Sequence, residues 1–214
     1  MSRTPRWENV ERPSLQDLAW ARATFEAVEP RDLFYRLATY LMDAADKKGA
    51  AFSKAEALAV LLQTWNRSYY QRLNIPFDAA HFADIEHLLA THADELAGLG
   101  ARSIESLAPS DEPCIKGVYR EFAAVLGQTG ASKALHMLAP RFCPLWDRFV
   151  AAHVYGLYAR DDRDYWRLAW ATAEQVKSIC GEAALGRNPI KAIDEYNYCR
   201  YTLGMSPVPE IDRP

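Results

Sequence analysis

The sequence predicts an all-α fold, and three observations lead to this prediction. Apolar residues recur three and four positions apart along most of the chain, which is the period of an amphipathic helix. Capping residues precede these stretches, and glycine or proline follows them. The sequence contains no convincing run of alternating β-branched residues of the kind that predicts a strand. Its 214 residues, half of them hydrophobic, fit one globular domain.

The first two helices are predicted from their starting residues. Ser14 is the candidate cap of a helix that continues to Val28. A second helix is predicted to begin near Pro30, because proline is well suited to a first helical turn. One stripe of this second helix is apolar and is expected to face the core: Leu33, Phe34, Leu37, Tyr40 and Leu41.

The next two helices also carry clear start signals. Ser53 and Glu56 have the spacing of a capping box, and a long apolar run over 57–70 follows them. Asp78 is a candidate cap for a helix over 78–99, which two glycines would end.

The second half of the chain predicts five more helices, which brings the total to about nine. They are expected over 113–126, 133–138, 146–160, 164–180 and 189–203. Glycine or proline separates most of these segments, and an Asn-Pro pair opens the last one.

Residues 13–204 are therefore predicted to form a single all-helical domain. Residues 1–12 are expected to be a loose N-terminal segment, and 205–214 a C-terminal tail. The N-terminus lacks the apolar stretch of a secretory signal, and no window approaches 18 uninterrupted apolar residues. We therefore expect a cytoplasmic protein that does not contact a membrane.

The cysteines and histidines do not predict a metal site. Cys114, Cys143, Cys180 and Cys199 lie far apart and show no C-x-x-C spacing, so we expect buried, reduced thiols. His136 lies in an apolar segment and is expected to be a hydrogen-bonded core residue. No cofactor and no metal ion are predicted.

Positive charge is concentrated in one part of an acidic chain. The net charge of the whole chain is −3, which argues mildly against nonspecific binding of nucleic acid. Residues 114–160, however, contain six basic and two acidic residues, a net charge of +4. This asymmetry favours a surface in that region that faces phosphate groups.

The segment with the clearest chemical signal lies within this basic region. Gly127 and Gly130 permit a tight turn and a close backbone approach, and the amides that open the following helix can hold a phosphate. A proline-containing loop follows, and then Asp147 begins the next helix in apolar company. A carboxylate in that position is either a helix cap or a catalytic group.

This order of elements resembles the helix-hairpin-helix DNA glycosylase superfamily. Gly127, Gly130 and Lys133 match the hairpin of that family, and Pro144, Asp147 and Val150 match its aspartate motif. The glycines here follow Gly-x-x-Gly spacing, whereas the family usually has Gly-x-Gly. The resemblance implies two helical lobes with a cleft between them, duplex DNA as the partner, and a hairpin that holds the DNA backbone. The residues expected at the backbone are Gly127, Gly130, Ser132 and Arg148.

The resemblance also implies roles for two charged side chains. Asp147 would stabilise the oxocarbenium-like cation that forms when an N-glycosidic bond breaks, and would orient or deprotonate the attacking water. The alternative is an N-cap without chemistry. Lys133 would be an amine nucleophile that forms a Schiff base. The alternatives are that Lys133 contacts a phosphate group, or that it is a solvated lysine on the helix surface.

Two further groups have the chemistry to read a base that has been flipped out of the duplex. Trp65, Asn66 and Tyr69 end an early helix, and Asp194 and Tyr198 share a polar-aromatic stripe of the last helix. Packing in the core is the alternative for both groups.

The predicted function is that of a DNA N-glycosylase, which removes a damaged or modified base from DNA. Two other interpretations stay open. One is an N-glycosidase that acts on a nucleoside or modified nucleotide, and the other is a non-catalytic helical module that binds nucleic acid or protein.

Overall fold

A computed structural model of the chain describes residues 6–8, 10–47, 49–179 and 188–207. Over these residues the protein is all-helical, as predicted, with ten α-helices and no strand. In chain order the helices are α1 (Leu15–Val28), α2 (Asp32–Ala45), α3 (Lys54–Trp65), α4 (Arg67–Leu73), α5 (Ala79–Thr91), α6 (Ala93–Gly100), α7 (Glu112–Leu138), α8 (Arg148–Val150), α9 (Asp162–Ser178) and α10 (Pro189–Asn197). π-helical turns extend α8 over Ala151–Tyr155 and α10 over Tyr198–Thr202. The arrangement in two lobes stays a prediction.

The predicted start signals are confirmed. Ser14 and Ser53 each accept a hydrogen bond from a backbone amide three residues later, in full capping boxes. Asp78 caps α5 through the backbone N–H of His81. Asn188 caps α10 through its side-chain oxygen, and proline occupies the first turn. Local hydrogen-bonding chemistry therefore determines where these helices begin.

Helix α7 bends at one residue. Gly127 has φ 69° and ψ 165°, a backbone conformation that is accessible almost only to glycine. The segments predicted over 113–126 and 133–138 therefore meet at Gly127, and the second helical segment begins directly after it. The expected turn that spans Gly127 and Gly130 is wrong, because Gly130 lies inside the second segment.

Three other helix predictions need correction. The single helix predicted over 57–70 breaks at Asn66, whose side chain donates to the carbonyl of Leu126 on α7. The helix predicted over 78–99 breaks at His92 between α5 and α6. The helix predicted over 146–160 is confined to α8 and its π turn.

The predicted core stripe of α2 is confirmed only in part, since Phe34 and Leu41 are half-buried and Leu41 packs against the core. Leu33, Leu37 and Tyr40 are 55%, 43% and 68% exposed, whereas Ala38 and Met42 are buried. Helix α2 packs against α3, so its small Ala38 allows the close approach. The apolar side of α2 is wider than its buried part, so spacing alone does not identify which of its apolar residues are buried.

The central helix of the fold is α7, which packs against α3, α5, α6 and α9, while α1 packs against α10. The described part of residues 1–12 makes contacts with this core. Trp7 and Val10 pack against the hydrophobic core. Glu11 accepts hydrogen bonds from the hydroxyl groups of Tyr196 (2.9 Å) and Tyr201. Residues 208–214 of the predicted tail lie outside the described residues.

Cys114, Cys143 and Cys199 are free thiols, and Cys180 lies outside the described residues. Among the helices described, none combines the length and the apolar character that crossing a bilayer requires.

Candidate functional site

A small cavity lies where five elements meet: the end of α1, the end of α3, the second segment of α7, the loop before α8, and α10. Its volume is about 140 Å³. Four aromatic side chains contribute to its wall, and they are Phe25, Trp65, Trp146 and Tyr198. Five charged side chains complete the polar part of the wall, and they are Glu29, Arg31, Lys133, Asp147 and Asp194.

A larger open groove of about 570 Å³ adjoins this cavity. Trp65, Lys133 and Asp147 line both spaces, so they form the boundary between them. The groove is also lined by Arg72 of α4 and Arg148 of α8. Its other lining residues include Asn66, Tyr69, Gly127, Gln128 and Thr129. The structure therefore brings nine of the eleven predicted site residues to two connected spaces.

Asp147 is both a helix cap and a side chain that lines the cavity and the groove. Its Oδ1 accepts hydrogen bonds from the backbone N–H groups of Phe149 (2.8 Å) and Val150 (3.1 Å), so the side chain caps α8. The same side chain is exposed and lines the cavity and the groove. In the described part of the chain, Oδ2 has no hydrogen-bond partner. Capping therefore uses one oxygen and leaves the other available to a ligand.

Lys133 lies on the second segment of α7, and its Nζ donates to the backbone carbonyl of Trp65. The ammonium group lies 5.8 Å from the centroid of the Trp65 ring. Burial lowers the pKa of Lys133 to about 8, although the nearby carboxylates of Asp147 and Asp194 oppose this change. A substantial fraction of the amine is therefore unprotonated just above neutral pH.

Asp194 is the second carboxylate of the cavity and comes from α10. Its side chain is 20% exposed. It lines the cavity and does not line the groove. Burial raises the pKa of Asp194 to about 6, and the ammonium of Lys191, 4.0 Å away, opposes this increase. Asp194 therefore changes between its protonated and ionised forms near pH 6.

Glu29 and Arg31 form a fixed pair at the cavity. Arg31 donates to Glu29 from its backbone N–H (3.0 Å) and from Nε (2.7 Å). The hydroxyl of Tyr198 donates to the same carboxylate at 2.8 Å. The hydrogen bonds from Arg31 hold the pKa of Glu29 at about 2, although burial opposes them. Glu29 therefore stays ionised, and its oxygens are occupied by protein donors.

A chain of aromatic and polar contacts holds Trp65 in the cavity wall. Its indole N–H donates to the carbonyl of Arg31 at 3.1 Å, and its ring stacks on Tyr35 with centroids 5.6 Å apart. His136 bonds Tyr35 through Nε2 (2.9 Å) and the carbonyl of Cys143 through Nδ1 (2.8 Å). Because a carbonyl can only accept, Nδ1 carries the proton and Nε2 accepts from the tyrosine. Burial lowers the pKa of His136 to about 4, consistent with a neutral core residue.

Lys191 lies behind the cavity and is buried. Its Nζ lies 3.3 Å from Glu195, 3.4 Å from Asp32 and 4.0 Å from Asp194. The same ammonium lies 4.1 Å from the centroid of the Phe25 ring. The ion cluster joins α10 to α2 and places a cation beside Asp194.

Two predicted contacts with a DNA backbone are corrected. Gly130 and Ser132 are buried, and Ser132 has no exposed surface. Gly130 lies inside a helix, where the absence of a side chain makes room for Asn66. Asn66 in turn is only 5% exposed, and its Nδ2 donates to the carbonyl of Leu126 at 3.0 Å, so this donor is not available to read a base.

Tyr69 packs its ring against Gly127, and its hydroxyl donates to the carbonyl of Val125 at 3.4 Å, so its role is partly structural.

The sequence patterns did not identify three charged residues at the cavity, which are Glu29, Arg31 and Lys191. The spacing of Lys191 to Asp194 and Glu195 places all three on one helical face and was the available signal. Glu29 and Arg31 had no such signal, because they pair at a two-residue spacing between two helices, and their other partner, Tyr198, comes from a distant part of the chain.

Among the described residues, no group of three or more His, Cys, Asp or Glu side chains could hold a metal ion. We compared the chain with protein-family models, with curated proteins and with solved structures, and none of them matches it.

Proposed function

We propose that this protein hydrolyses N-glycosidic bonds in DNA and releases a single base. The observation that carries the proposal is the position of Asp147 at the boundary between the cavity and the groove. If a base enters the cavity while the sugar-phosphate backbone lies in the groove, the bond that joins them passes this boundary. A carboxylate beside that bond stabilises the cation that develops on the sugar.

The size of the cavity supports the entry of one base. A protein cavity of about 150 Å³ accommodates a benzene molecule. The 140 Å³ cavity therefore suits one planar ring system that reaches out through the open side. A paired base inside a duplex is too large, so a DNA substrate must present the base flipped out of the stack. Trp65 and Tyr198 provide aromatic surface for such a base.

The charges of the two spaces differ in the way that this substrate requires. The groove has the cationic side chains of Arg72, Lys133 and Arg148 against one carboxylate, that of Asp147. Phosphate groups favour such a surface. In the cavity Glu29 is already paired with Arg31, so the free oxygen of Asp147 is the group that can stabilise a positive charge developing on a sugar.

The chemistry assigned to the site is hydrolysis with water as the nucleophile. Asp147 steadies the oxocarbenium-like transition state and accepts a proton from the attacking water. Lys133 offers a second route, because an amine with a pKa of about 8 can attack C1′ and form a Schiff base. Its hydrogen bond to Trp65 must first break, so water is the nucleophile that we expect.

The first experiment is a screen for base release. Duplexes that each carry one modified or damaged base are incubated with the protein and treated with hot alkali, which cleaves the strand at abasic sites. We expect scission of at least one duplex, and a loss of 10²-fold or more, on the order of general-base catalysis, in Asp147→Asn. The asparagine keeps the capping oxygen of α8 while it removes the charge.

The matched control is Asp78→Asn, which changes another N-cap aspartate that lines neither space. We expect this variant to retain full activity. Scission of no duplex, or equal scission by Asp147→Asn and the unchanged protein, contradicts the proposal. Borohydride trapping of a covalent complex would assign the Lys133 route, and its absence would assign the water route.

A binding experiment tests the groove independently. Arg148→Glu is expected to weaken duplex binding in a gel-shift titration and to lower the salt slope by about one unit per lost phosphate contact. Arg36→Glu, on an exposed position of α2 that does not line the groove, is the control. Hydrolysis of a free nucleoside, with no affinity for a duplex, would favour the nucleoside alternative, since a free nucleoside leaves the groove without a role.

A further inference from the structure

We infer that Asp194 is the proton donor to the departing base, and that the substrate therefore carries an uncharged base. This inference rests on the proposed function and deepens it. It is carried by the geometry of the cavity, in which two carboxyl groups from different elements occupy different positions. Asp147 lines both spaces, whereas Asp194 lines the cavity and not the groove. Asp194 therefore lies on the side where the base is held.

The other ionisable groups of the cavity are unsuited to this role. The oxygens of Glu29 are occupied by Arg31 and Tyr198, and the pKa of this carboxyl is about 2. Asp147 accepts two backbone N–H groups at the start of α8 and also lines the groove, so it lies on the side of the sugar rather than that of the base. Asp194, in contrast, is shielded from water and has a pKa of about 6, so it carries a proton in mildly acidic conditions.

The charged environment of Asp194 determines when it releases this proton. Eight titratable groups surround it from its own helix and from the elements packed against it: Lys191 and Glu195 of α10, Cys199 of the π turn after α10, Asp32 and Tyr35 of α2, Lys133 of α7, Asp147, and Tyr155 of the π turn after α8. The cation of Lys191 favours the carboxylate and the anions favour the acid. Two carboxyl groups in contrasting environments are the usual arrangement for one acid and one base.

Base release in this site involves one bond broken, one bond formed and two proton transfers. The bond between C1′ and the base nitrogen breaks, and both electrons go to the base. Asp194 transfers its proton to a ring nitrogen, so the base leaves as a neutral molecule and Asp194 becomes a carboxylate. The oxygen of water bonds to C1′, and Asp147 accepts the proton that the water loses. An uncharged base needs this proton, whereas a base that is already cationic leaves as a neutral molecule without it.

The test compares two duplexes in single-turnover base release. One carries an uncharged base that the screen identifies, such as hypoxanthine, and the other carries the cationic base 7-methylguanine. For the uncharged base, we expect the rate to fall as the pH rises through about 6. Asp194→Asn should lose about 10²-fold or more on this duplex. It should stay within about threefold on 7-methylguanine, which also demonstrates that the variant is folded.

Asp111→Asn is the matched control, because it removes another largely buried carboxylate that pairs with a cation, Arg102, and lines neither the cavity nor the groove. We expect its rates to stay within about threefold of the unchanged protein. Equal activity of Asp194→Asn on the uncharged base, or an equal loss on both duplexes, overturns the inference and leaves the proposed function intact. Release of 7-methylguanine alone overturns the substrate class. Release of no base by the unchanged protein overturns the proposed function, and this inference with it.

Discussion

Substitution of Gly130 by alanine is expected to destabilise the protein, although alanine is the better helix former. A Cβ atom at this position would lie 2.5 Å from Nδ2 of Asn66 and 3.1 Å from Cβ of Leu126. The first distance is far below van der Waals contact, so the Asn66 side chain must move. That movement breaks its 3.0 Å hydrogen bond to the carbonyl of Leu126.

The magnitude follows from three contributions. A buried hydrogen bond whose partner is left unsatisfied costs about 1–3 kcal/mol. Overpacking of a tight contact costs a further ~1–3 kcal/mol, part of which is the same displacement. The helix propensity of alanine returns about 1 kcal/mol relative to glycine. We therefore expect Gly130→Ala to lower the free energy of unfolding by about 2 kcal/mol.

The assay is urea unfolding followed by circular dichroism, with Gly117→Ala as the control. Gly117 lies in the first segment of the same helix, and a Cβ there would have no atom within 4 Å. Gly117→Ala should therefore stabilise the protein by about 0.5–1 kcal/mol. Opposite signs for the two variants are the expected result. A Gly130→Ala protein that is as stable as the unchanged protein would refute the close contact between Asn66 and α7.

Three further predictions concern the same region. Gly127→Ala should lower the free energy of unfolding by about 2 kcal/mol or more in the same urea assay, because the backbone conformation excludes other residues and the added Cβ meets the ring of Tyr69. Trp65→Phe should lower it by about 1 kcal/mol, since it removes the hydrogen bond to Arg31, whereas Trp166→Phe serves as a control outside the cavity. Asp194→Asn should change the pH dependence of the free energy of unfolding. The raised pKa of Asp194 stabilises the unchanged protein below about pH 4, and this contribution disappears as the pH rises through about 6. Between pH 4 and pH 8 the variant should therefore gain on the order of 2 kcal/mol relative to the unchanged protein. A constant difference across that range contradicts the buried position of Asp194.

The parts of the fold that the sequence predicts well depend on neighbouring residues. Ser14, Ser53, Asp78 and Asn188 each bond backbone amides two or three positions away, so their patterns identify the helix starts. The break at Asn66 depends instead on a carbonyl 60 positions away in the chain. No local pattern contains that partner, so the break was not predicted.

The candidate site shows the same division. Asp147 and Lys133 were identified because glycine, proline and carboxylate follow one another in a short segment, and both line the cavity. Gly130 and Ser132 belong to the same segment but lie inside the protein. Gly130 is covered by the side chain of Asn66, which follows α3. A motif therefore identified two side chains that line the cavity, while tertiary packing determined which of its residues reach the surface.

The composition of the cavity wall has a practical consequence for measuring occupancy. Two of the chain's six tryptophans, Trp65 and Trp146, line it. Indole emission responds to the polarity of its surroundings and is quenched by rings stacked against it. Filling the cavity should therefore alter the intrinsic tryptophan fluorescence of the unlabelled protein. A titration that follows this emission can rank small aromatic compounds by affinity before any substrate has been found.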